Sequence, residues 1–486
     1  MKQNPGKSIY DSLGVRPLIN ASGTITILGA TRILPEVQKA MDDAVKEFVH
    51  IFELMDGVGK RLSELTGAES ACITSGASAA ITAGTAACVT GGDPDKLWKI
   101  PDLQGMKDEV IIPKYSRTAY DAAAKAVGVR MIEVDDIEGL KKAMGPRTAM
   151  ILILGGAQSR NGPISTKEIS NLAKPLGIPV LVDAAAENLE VPNPHLVAGA
   201  DLVAYSGGKK LRGPQCSGML IGNKGLISAA RRNTGPHHGF GRGFKVGREE
   251  IMGLVAAVEM WFRRDFTAEE RVHSSMVENI MKKLSPIQSL KLTGTPSSLR
   301  VEWDKTQIAL SGYDVEQLLW NSTPRIAVSL SGSYLPFPPN QSPNFGINVS
   351  QLNLGEETII ADRVYEIFSQ PQSAGIKSTS PAVVNLNGVW DLEIDFGASK
   401  VKQTLHFEQK GNEFVGTHIA DMGSRDLQGT LHGASILMRS SYTVDGARIN
   451  YTFKGLASND TLSGEVSLSE YGKAEWSAKR RIFRMS

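Results

Sequence analysis

The chain is poor in cysteine and carries no long apolar segment. Its 486 residues include three cysteines, Cys72, Cys88 and Cys216. Their spacing matches no metal-ligand pattern, and an odd number set among small or apolar residues is typical of buried thiols in a reducing compartment. No run of about 18 apolar residues occurs, so no membrane-spanning helix is expected. The first ten residues lack the apolar stretch of a signal peptide, and we therefore expect a cytoplasmic protein.

The chain also lacks an excess of charge of either sign. It has 53 lysine and arginine residues against 51 aspartate and glutamate residues, a formal net charge of +2. Proteins that bind nucleic acid usually carry a marked basic excess, so no nucleic-acid partner is expected. Hydrophobic residues make up 41% of the chain and charged residues 21%, which is typical of a soluble globular protein. The length predicts two or three domains.

Residues 1–275 alternate short apolar runs with helical patterns. A continuous apolar run between helices is typical of a parallel strand that is buried on both faces. The alternation therefore predicts a large domain with an open α/β sheet, whose ligands bind beyond the carboxyl ends of the strands. The predicted strands are Glu109–Pro113, Thr148–Leu154, Pro179–Ala184, Asp201–Tyr205 and Gly218–Gly222.

The pattern changes twice after residue 275. Residues 276–370 mix strand-like segments with a final helix, which predicts a smaller α+β domain. Residues 371–382 are rich in serine and proline and predict a linker. Residues 383–486 contain eight short segments of alternating polarity, separated by glycine turns. This last region predicts a small antiparallel β-barrel or sandwich, with Trp390, Phe407 and Trp476 facing inward.

The segment Ser206–Gln215 (SGGKKLRGPQ) places two lysines in a glycine-rich turn after a predicted strand. A lysine in such a turn can form a Schiff base with pyridoxal 5′-phosphate (PLP). We assign the Schiff base to Lys209 rather than Lys210, because Lys209 stands three residues after Ser206. The other interpretation of this decapeptide is a surface turn rich in glycine and lysine.

Asp183 ends an apolar run one strand upstream of that turn. An ionised carboxylate after valine and leucine is costly unless it is paired, and the N–H of a protonated pyridine ring is a suitable partner. Asp183 and Lys209 are therefore the predicted catalytic pair of a PLP enzyme. A helix cap by Asp183 is the alternative.

A second glycine turn predicts a phosphate site. Thr74–Ser78 (TSGAS) precedes a helix of small residues, Ala79–Cys88. The N-terminus of a helix offers free amide donors and the positive end of the helix dipole to an anion. The alternative is an ordinary helix cap by one of the serines. Ser75 and Ser78 can add their hydroxyls to such a site, and Ser206 before the lysine turn can donate a third.

Several polar residues are candidates for contacts with a substrate. An arginine at the start of a strand can form two hydrogen bonds with a substrate carboxylate, and glycine-rich loops often carry polar contacts. A histidine pair occurs at positions 237 and 238, but no third ligand is near in sequence, so no metal is expected. The candidates are Asn20, Arg212, Gln215, His237 and Arg325.

With these residues collected, the chain resembles the selenocysteine synthase-like branch of the fold-type-I PLP enzymes. That branch includes bacterial seryl-tRNA selenium transferase and the D-glucosaminate-6-phosphate ammonia lyases, and the resemblance spans roughly residues 8–370. The Ser-Gly-Gly-Lys…Arg-Gly-Pro-Gln element is more similar to the ammonia lyases than to the tRNA enzyme. The segments that carry the resemblance are Arg16–Gly23, Thr74–Ser78, Val182–Ala184, Ser206–Gln215 and Lys245–Ile251.

The resemblance implies an aspartate-aminotransferase-like fold and a homodimer whose two active sites lie across the subunit interface. It implies that Lys209 is the Schiff-base lysine and Asp183 the partner of the pyridine nitrogen. It also implies that Ser75, Gly76, Ala77, Ser78 and Ser206 bind the cofactor phosphate. Relatives often have a cofactor-stacking histidine in the segment matching Lys114–Arg117, where this chain offers Tyr115. The region after residue 383 lies outside the family core.

The first hypothesis is a PLP-dependent lyase of the ammonia lyase or dehydratase type, acting on a hydroxylated amino acid or amino-sugar acid. Racemisation, aldol cleavage and transamination of an amino acid are alternatives, because sequence does not report which substrate bond stands perpendicular to the cofactor ring. A non-catalytic binding protein on the same fold is disfavoured by the presence of both Asp183 and Lys209. Selenocysteine synthesis on tRNA is disfavoured by the near-neutral charge and by a core motif that begins by residue 16.

Overall fold

The computed structural model of the protein describes residues 8–329, 342–369, 380–444 and 446–482. The chain forms two compact units. One contains Gly23–Ala268, and the other contains the described parts of Met1–Ser22 and Glu269–Ser486. Most of the predicted linker lies outside the described residues, as does Asp445. The predicted domain boundaries stay a prediction.

The described residues form fourteen α-helices and twenty β-strands. The helices are α1 (Pro35–Ala44), α2 (Ile51–Thr66), α3 (Ala77–Thr90), α4 (Pro94–Leu97), α5 (Asp121–Lys125), α6 (Ile137–Ala143), α7 (Ala157–Asn161), α8 (Thr166–Ala173), α9 (Pro194–Val197), α10 (Lys224–Arg232), α11 (Arg248–Trp261), α12 (Phe266–Leu284), α13 (Gly312–Asn321) and α14 (Glu356–Ser369). The first twelve strands are β1 (Leu18–Ala21), β2 (Ser70–Thr74), β3 (Glu109–Pro113), β4 (Arg130–Val134), β5 (Thr148–Leu154), β6 (Val180–Asp183), β7 (Leu202–Ser206), β8 (Gly218–Gly222), β9 (Leu290–Thr295), β10 (Ser298–Trp303), β11 (Arg325–Val328) and β12 (Asn344–Asn348). The last eight are β13 (Gly388–Asp395), β14 (Lys400–Lys410), β15 (Glu413–Ala420), β16 (Gly423–His432), β17 (Ser435–Val444), β18 (Ala447–Ala457), β19 (Thr461–Ser467) and β20 (Lys473–Arg480).

The unit Gly23–Ala268 is built on a seven-stranded sheet in the order β2-β8-β7-β6-β5-β3-β4. Its central strands are apolar because helices cover both faces, and β5 to β8 are buried along nearly their whole length. One apolar core lies on the side of α1, α2 and α11, and a second lies around α3 and α10. This arrangement confirms the predicted α/β large domain and its fold class.

One strand of this sheet runs opposite to the prediction. The apolar pattern of Gly218–Gly222 predicts a parallel strand, but β8 is antiparallel to both of its neighbours, β7 and β2. The reason is the connection: the glycine-rich loop after Ser206 contains no crossover helix, so the chain turns back and runs beside β7. The apolar composition was a correct indication of burial and not of direction.

The second unit contains two small sheets and a β-barrel. In the first sheet, β1 pairs in parallel with β11, so the predicted N-terminal arm is partly a strand. In the second, β10 lies between β9 and β12 and is antiparallel to both. Buried apolar residues of β10, α13 and α14 form one shared core. These elements match the predicted α+β character of this region.

Strands β13 to β20 form a closed antiparallel barrel. Closure is completed by pairing of the first strand, β13, with the last, β20, so the prediction of a barrel or sandwich resolves to a barrel. The predicted inward residues Trp390, Phe407 and Trp476 are all buried in its core. Closed barrels leave no free sheet edge, which explains how a module of this size folds without helices.

The cysteines only partly follow the expectation of buried thiols. Cys72 is buried and Cys88 is half-buried, but Cys216 is exposed, and all three are unpaired. Cys216 is exposed because the loop between β7 and β8 lies at the end of the sheet rather than within it. None of the helices in the described ranges is long and apolar enough to cross a membrane.

Candidate functional site

The carboxyl ends of β2, β6 and β7 meet at one edge of the seven-stranded sheet. Ser206 at the end of β7 pairs with Gly218 of β8, which also pairs with Thr74 at the end of β2. Asp183 at the end of β6 pairs with Ala204 of β7. The register therefore places the predicted phosphate turn, Ser206 and Asp183 along the same edge.

The turn that leads into α3 is shaped by two glycines. Gly76 precedes the helix with a φ of 131°, a conformation in which a side chain would be strained. A Cβ on Gly218 would lie 2.6 Å from the carbonyl carbon of Gly76, so the two backbones touch. No side chain caps α3, which argues against the ordinary serine cap. The first amide groups of α3, with Ser75 and Ser78 beside them, are of a kind that can bind an anion, and the phosphate site stays a prediction.

Lys209 lies in the loop between β7 and β8. The amide of Gly207 donates to the carbonyl of Ser217 at 2.8 Å, and the amide of Gly213 donates to the carbonyl of Gly207 at 2.8 Å. These bonds close the loop on itself at the end of the sheet. Within it Lys209 is half-buried and Lys210 is exposed, which favours Lys209 as the residue directed into a binding site.

Asp183 is buried, with a relative exposure of 8%. Its Oδ1 accepts a hydrogen bond of 3.0 Å from the amide of Ala185. Burial raises the pKa of Asp183, although the bond from Ala185 and the charge of Lys209 oppose the rise, and Glu187 adds to it. A buried carboxyl with one protein amide as its donor fits a cationic N–H of a bound ligand.

Tyr120 is a neighbour of Lys209 that the sequence interpretation missed. The Nζ of Lys209 lies 5.8 Å from the centroid of the Tyr120 ring. Tyr120 also lines a small cavity together with Ser116 and Asp183. An aromatic side chain that adjoins both the lysine and the acid is suited to contact a planar ring held between them.

Tyr115 is positioned differently. Its hydroxyl donates a hydrogen bond of 2.8 Å to the carbonyl of Ile164, and its ring packs against the core on the side of α1 and α2. Burial raises the pKa of Tyr115 to about 12. The predicted role of Tyr115 as the stacking residue stays a prediction, and Tyr120 is a second candidate for it.

A half-buried charged group lies beside Asp183. Glu187 accepts from Arg160 at 3.0 Å and lies 2.5 Å from Nε2 of His195. Burial alone would raise the pKa of Glu187, but His195 and Arg160 outweigh it and hold the pKa below its usual value. Glu187 therefore places a negative charge next to Asp183. The sequence interpretation missed the contacts of Glu187 with Arg160 and His195, because no sequence motif connects these three residues.

Three predicted substrate residues hold neighbouring segments. Nε of Arg212 donates to the carbonyl of Arg32 at 3.1 Å, and Nε2 of Gln215 donates to the carbonyl of Thr26 at 3.0 Å. His237 packs edge-on against the ring of Phe52 at 5.0 Å. Within the described part of the chain, no group of three or more His, Cys, Asp or Glu side chains could hold a metal ion.

The other two predicted substrate residues belong to the second unit. Arg325 begins β11 and pairs with Leu18 of β1, and Asn20 lies two residues further along β1. Nε of Arg325 donates to the carbonyl of Trp320 at 3.1 Å, and the guanidinium lies 4.5 Å from the centroid of the Trp320 ring. The structure therefore brings Asn20 and Arg325 onto adjacent strands.

The residues at the edge of the large sheet fit PLP. The turn before α3 offers backbone amides for a phosphate, and Lys209 offers an amine. Asp183 offers a buried hydrogen-bond acceptor, and burial raises its pKa, so a cationic partner would favour its ionised form. These three groups match the phosphate, aldehyde and pyridine nitrogen of the cofactor in chemical type.

Proteins of known name are similar in sequence to part of this chain. No family model matches the chain. D-glucosaminate-6-phosphate ammonia lyase of Salmonella typhimurium is 32% identical over 329 residues, which are 64% of this chain and 86% of that protein. The 5′-C-glycyluridine monooxygenase-decarboxylase of a Streptomyces species is 33% identical over 288 residues, 56% of this chain and 69% of that protein.

A solved structure extends the comparison. The structure of a D-glucosaminate-6-phosphate ammonia-lyase superposes with a TM-score of 0.65 at 30% identity. The match covers 75% of this chain and 99% of that one, so about a quarter of this chain has no counterpart there. L-seryl-tRNA(Sec) selenium transferase of Serratia proteamaculans is 24% identical over 341 residues, 62% of this chain and 70% of that protein. The chain belongs to the family of D-glucosaminate-6-phosphate ammonia lyase, and it is a PLP-dependent enzyme of the fold-type-I, lyase-related class.

Proposed function

We propose that the protein is a PLP-dependent ammonia lyase that acts on a hydroxylated amino acid or amino-sugar acid through Lys209. The observation that carries the proposal is the meeting of a buried acid, a half-buried lysine and an uncapped helix N-terminus at one edge of the large sheet. The relative named as a D-glucosaminate-6-phosphate ammonia lyase supports an amino-sugar acid as the substrate class.

The cofactor would be held at three points. The amides at the start of α3, with the hydroxyls of Ser75, Ser78 and Ser206, would bind the phosphate. Lys209 would hold the cofactor covalently through Nζ, and the side chain of Tyr120 or Tyr115 would contact the ring. When bound, the cofactor withdraws the electrons left on the substrate Cα after a bond to that carbon breaks.

Two residues would manage the protons. Nζ of Lys209, once displaced by the substrate amine, would accept the proton from Cα as a neutral amine. Asp183 would keep a proton on the pyridine nitrogen, because a carboxylate beside that N–H raises its pKa. Loss of the proton from Cα and of the β-hydroxyl as water leaves an enamine, which tautomerises to an imine. Water then hydrolyses the C=N bond of the imine to give a 2-oxo acid and ammonia, so the water lost is regained and no oxidant is needed. Contacts with the substrate by Asn20, Arg212, Gln215, His237 and Arg325 stay predictions.

A second candidate reaction is favoured by the Streptomyces relative. That protein is 33% identical to this chain and is named a monooxygenase-decarboxylase. The second candidate is therefore an oxidative decarboxylation. The two reactions differ in their co-reactant, since a monooxygenase consumes O₂ and a lyase does not.

Product analysis separates the two reactions. The holoenzyme should release ammonia and a 2-oxo acid in equal amounts from D-glucosaminate 6-phosphate or from another member of a panel of D- and L-hydroxy amino acids. Oxygen uptake, followed with an electrode in the same reactions, should stay at the background rate. Uptake of O₂ coupled to CO₂ release would replace the lyase assignment with the second candidate. If substrates of the panel are converted but none of them releases ammonia, the lyase assignment is contradicted, and racemisation or aldol cleavage is favoured instead.

Borohydride reduction tests the assignment of the cofactor lysine. Reduction should fix the cofactor to Lys209, so that Lys209→Ala loses the covalent adduct and about 1000-fold of the turnover. Lys210→Ala is the matched control, because Lys210 is adjacent and exposed, and it should keep the adduct. Peptide mapping by mass spectrometry locates the adduct, and labelling of Lys210 would refute the assignment.

Asp183→Asn should change stability and turnover in opposite directions. Because burial raises the pKa of Asp183, the folded state binds this proton more tightly than the unfolded state. The free energy of unfolding therefore decreases as the pH rises from the usual pKa of a carboxyl group through the raised pKa of Asp183. Without cofactor, Asp183→Asn should be more stable than wild type at pH 8 by about 1 kcal/mol and equal to it in acid. With cofactor, turnover should fall about 100-fold, because the charge that stabilises the reacting ring is lost.

The control for this variant is Asp201→Asn. Burial also raises the pKa of Asp201, but Asp201 lies at the opposite edge of the sheet, where it accepts from the amide of Val180 at 2.8 Å. Its replacement should leave cofactor affinity and turnover unchanged. Thermal unfolding across pH and absorbance titration with cofactor provide the two readouts, and an Asp183→Asn enzyme with wild-type turnover would exclude the proposed role.

We also propose a homodimer. Support comes from the family resemblance and from an exposed apolar corner between α1 and α2, where Phe48 is 94% exposed beside the exposed Val45 and Val49. Exposed apolar clusters of this kind are typical of interfaces.

Phe48→Asp tests the proposed interface. A buried aromatic residue at the centre of an interface contributes about 2 kcal/mol or more, so the dimer should dissociate at about 30-fold higher concentration. Leu176→Asp is the control, because Leu176 is exposed in the same unit but outside the apolar corner. Light scattering at micromolar protein measures the mass, and a stable, active wild-type monomer would contradict the dimer.

We place the enzyme in the cytoplasm. All three cysteines are unpaired, and Cys216 is exposed. A free exposed thiol is retained more readily in a reducing compartment.

A further inference from the structure

Arg425 is a buried arginine in the wall of the β-barrel. Its relative exposure is 6%, and it alternates along β16 with exposed Asp426, so its side chain belongs to the inner face of the barrel. It lies near the hairpin that joins β15 to β16, directly opposite His418 in the register. Burial of a guanidinium is expensive unless its N–H groups are paired.

The guanidinium of Arg425 lacks that pairing. Its Nε and Nη1 atoms are buried and have no hydrogen-bond partner in the described part of the chain. Two aromatic rings contact it instead: the guanidinium carbon lies 3.8 Å from the ring centroid of Tyr442 and 4.8 Å from that of Tyr451. The rings stabilise a cation at this place, but they do not accept hydrogen bonds from the N–H groups in the plane of the guanidinium.

The same barrel shows how an arginine is paired when it is only structural. Arg480, near the opposite end of the barrel, also stacks on an aromatic ring, with its guanidinium 4.4 Å from the ring centroid of Trp390. Its nitrogens donate to three backbone carbonyls, those of Asn385, Asn387 and Asn459. Arg425 has the stacking, but its Nε and Nη1 have no acceptor among the described residues of the barrel.

His418, directly opposite Arg425 in the register, adds no negative charge beside the guanidinium. Nε2 of His418 lies 2.6 Å from Oε1 of Gln403, and Nδ1 lies 2.7 Å from Oγ of Ser440. Burial first, and the charge of Arg425 second, lower the pKa of His418 to about 3. The imidazole is therefore neutral at pH 7, donating to Gln403 and accepting from Ser440, and it supplies no charge to balance the guanidinium.

The tips of the hairpins at this end of the barrel are apolar. Met422, between β15 and β16, is 61% exposed, and Tyr471, between β19 and β20, is 64% exposed. Phe396, after β13, is also exposed. A ligand that reaches Arg425 from this end would pass apolar side chains before it meets the positive charge.

We propose that the β-barrel binds a small organic oxyanion, a carboxylate or a phosphate ester with an apolar body, through the free N–H groups of Arg425 at its hairpin end. A carboxylate or a phosphate accepts two hydrogen bonds from a guanidinium and neutralises its charge. Such a ligand would provide the acceptors that Nε and Nη1 of Arg425 lack among the described residues. The apolar tips suit the remainder of such a ligand. This site is formed by barrel residues and carries no step of the proposed reaction.

The test uses the PLP-loaded enzyme, in which the phosphate turn before α3 is already filled. Benzoate and phenyl phosphate are titrated by calorimetry, in a buffer without other oxyanions, and neutral benzamide is the control ligand. At least one of the two anions should bind saturably while benzamide does not. The anion that binds more tightly distinguishes a carboxylate site from a phosphate site.

Variants then assign the binding to Arg425. Arg425→Met, which keeps the length of the side chain without its charge, should weaken the binding at least 10-fold, and Arg425→Lys should retain part of it. Arg448→Met is the matched control, because Arg448 lies on β18 at the same end of the barrel but is exposed and bonded to Ser441. It should bind the anion as wild type does.

Stability without the anion gives an independent readout. If Arg425 is kept for a ligand, Arg425→Met should unfold at the same temperature as wild type or higher, because an unpaired buried charge has been removed. The anion should raise the unfolding temperature of wild type and not that of the variant. Anion binding that is equal in Arg425→Met and wild type would overturn the proposal. So would a barrel that unfolds earlier in Arg425→Met without any anion, because the cation would then be structural.

Discussion

The buried carboxyl group of Asp183 is the constraint on which the active-site architecture depends. It closes a strand whose other residues are apolar and fully buried, and one backbone amide is too little to stabilise its ionised form. The charge of Lys209 opposes the rise in the pKa of Asp183 but does not outweigh the effect of burial. The loop after Ser206 brings Lys209 to the same edge, and the turn at Gly76 brings the start of α3. A ligand with a protonated ring nitrogen, an aldehyde and a phosphate satisfies all three.

Family membership defines the cofactor chemistry more firmly than the reaction. Two relatives of nearly equal identity to this chain are named for different reactions, an ammonia lyase and a monooxygenase-decarboxylase. The residues that hold the cofactor can be common to both, because they serve its phosphate and nitrogen. The choice of bond must then depend on side chains that contact the substrate. In this chain Tyr120 lies close to Lys209, and Glu187 is charged beside Asp183.

The sequence predicted what depends on local pattern. The lysine loop, Asp183 and the glycine turn could each be identified as candidates, because each combines a residue type with a position at the end of an apolar strand, and their roles stay predictions. The predicted parallel direction of β8 was wrong, because an apolar composition indicates that a strand is buried and does not indicate its direction. Tyr120, the Glu187–His195 contact and the isolation of Arg425 were missed for another reason. Each depends on residues that are brought together only by the fold, such as Arg425 between Tyr442 and Tyr451.

The most direct test of the central claim is a crystal structure of the enzyme with its cofactor. The account predicts continuous density from Nζ of Lys209 to the cofactor, a pyridine nitrogen within hydrogen-bond distance of Asp183, and a phosphate at the amides that begin α3. A cofactor bound through another lysine, or a pyridine nitrogen that faces a group other than Asp183, would contradict it.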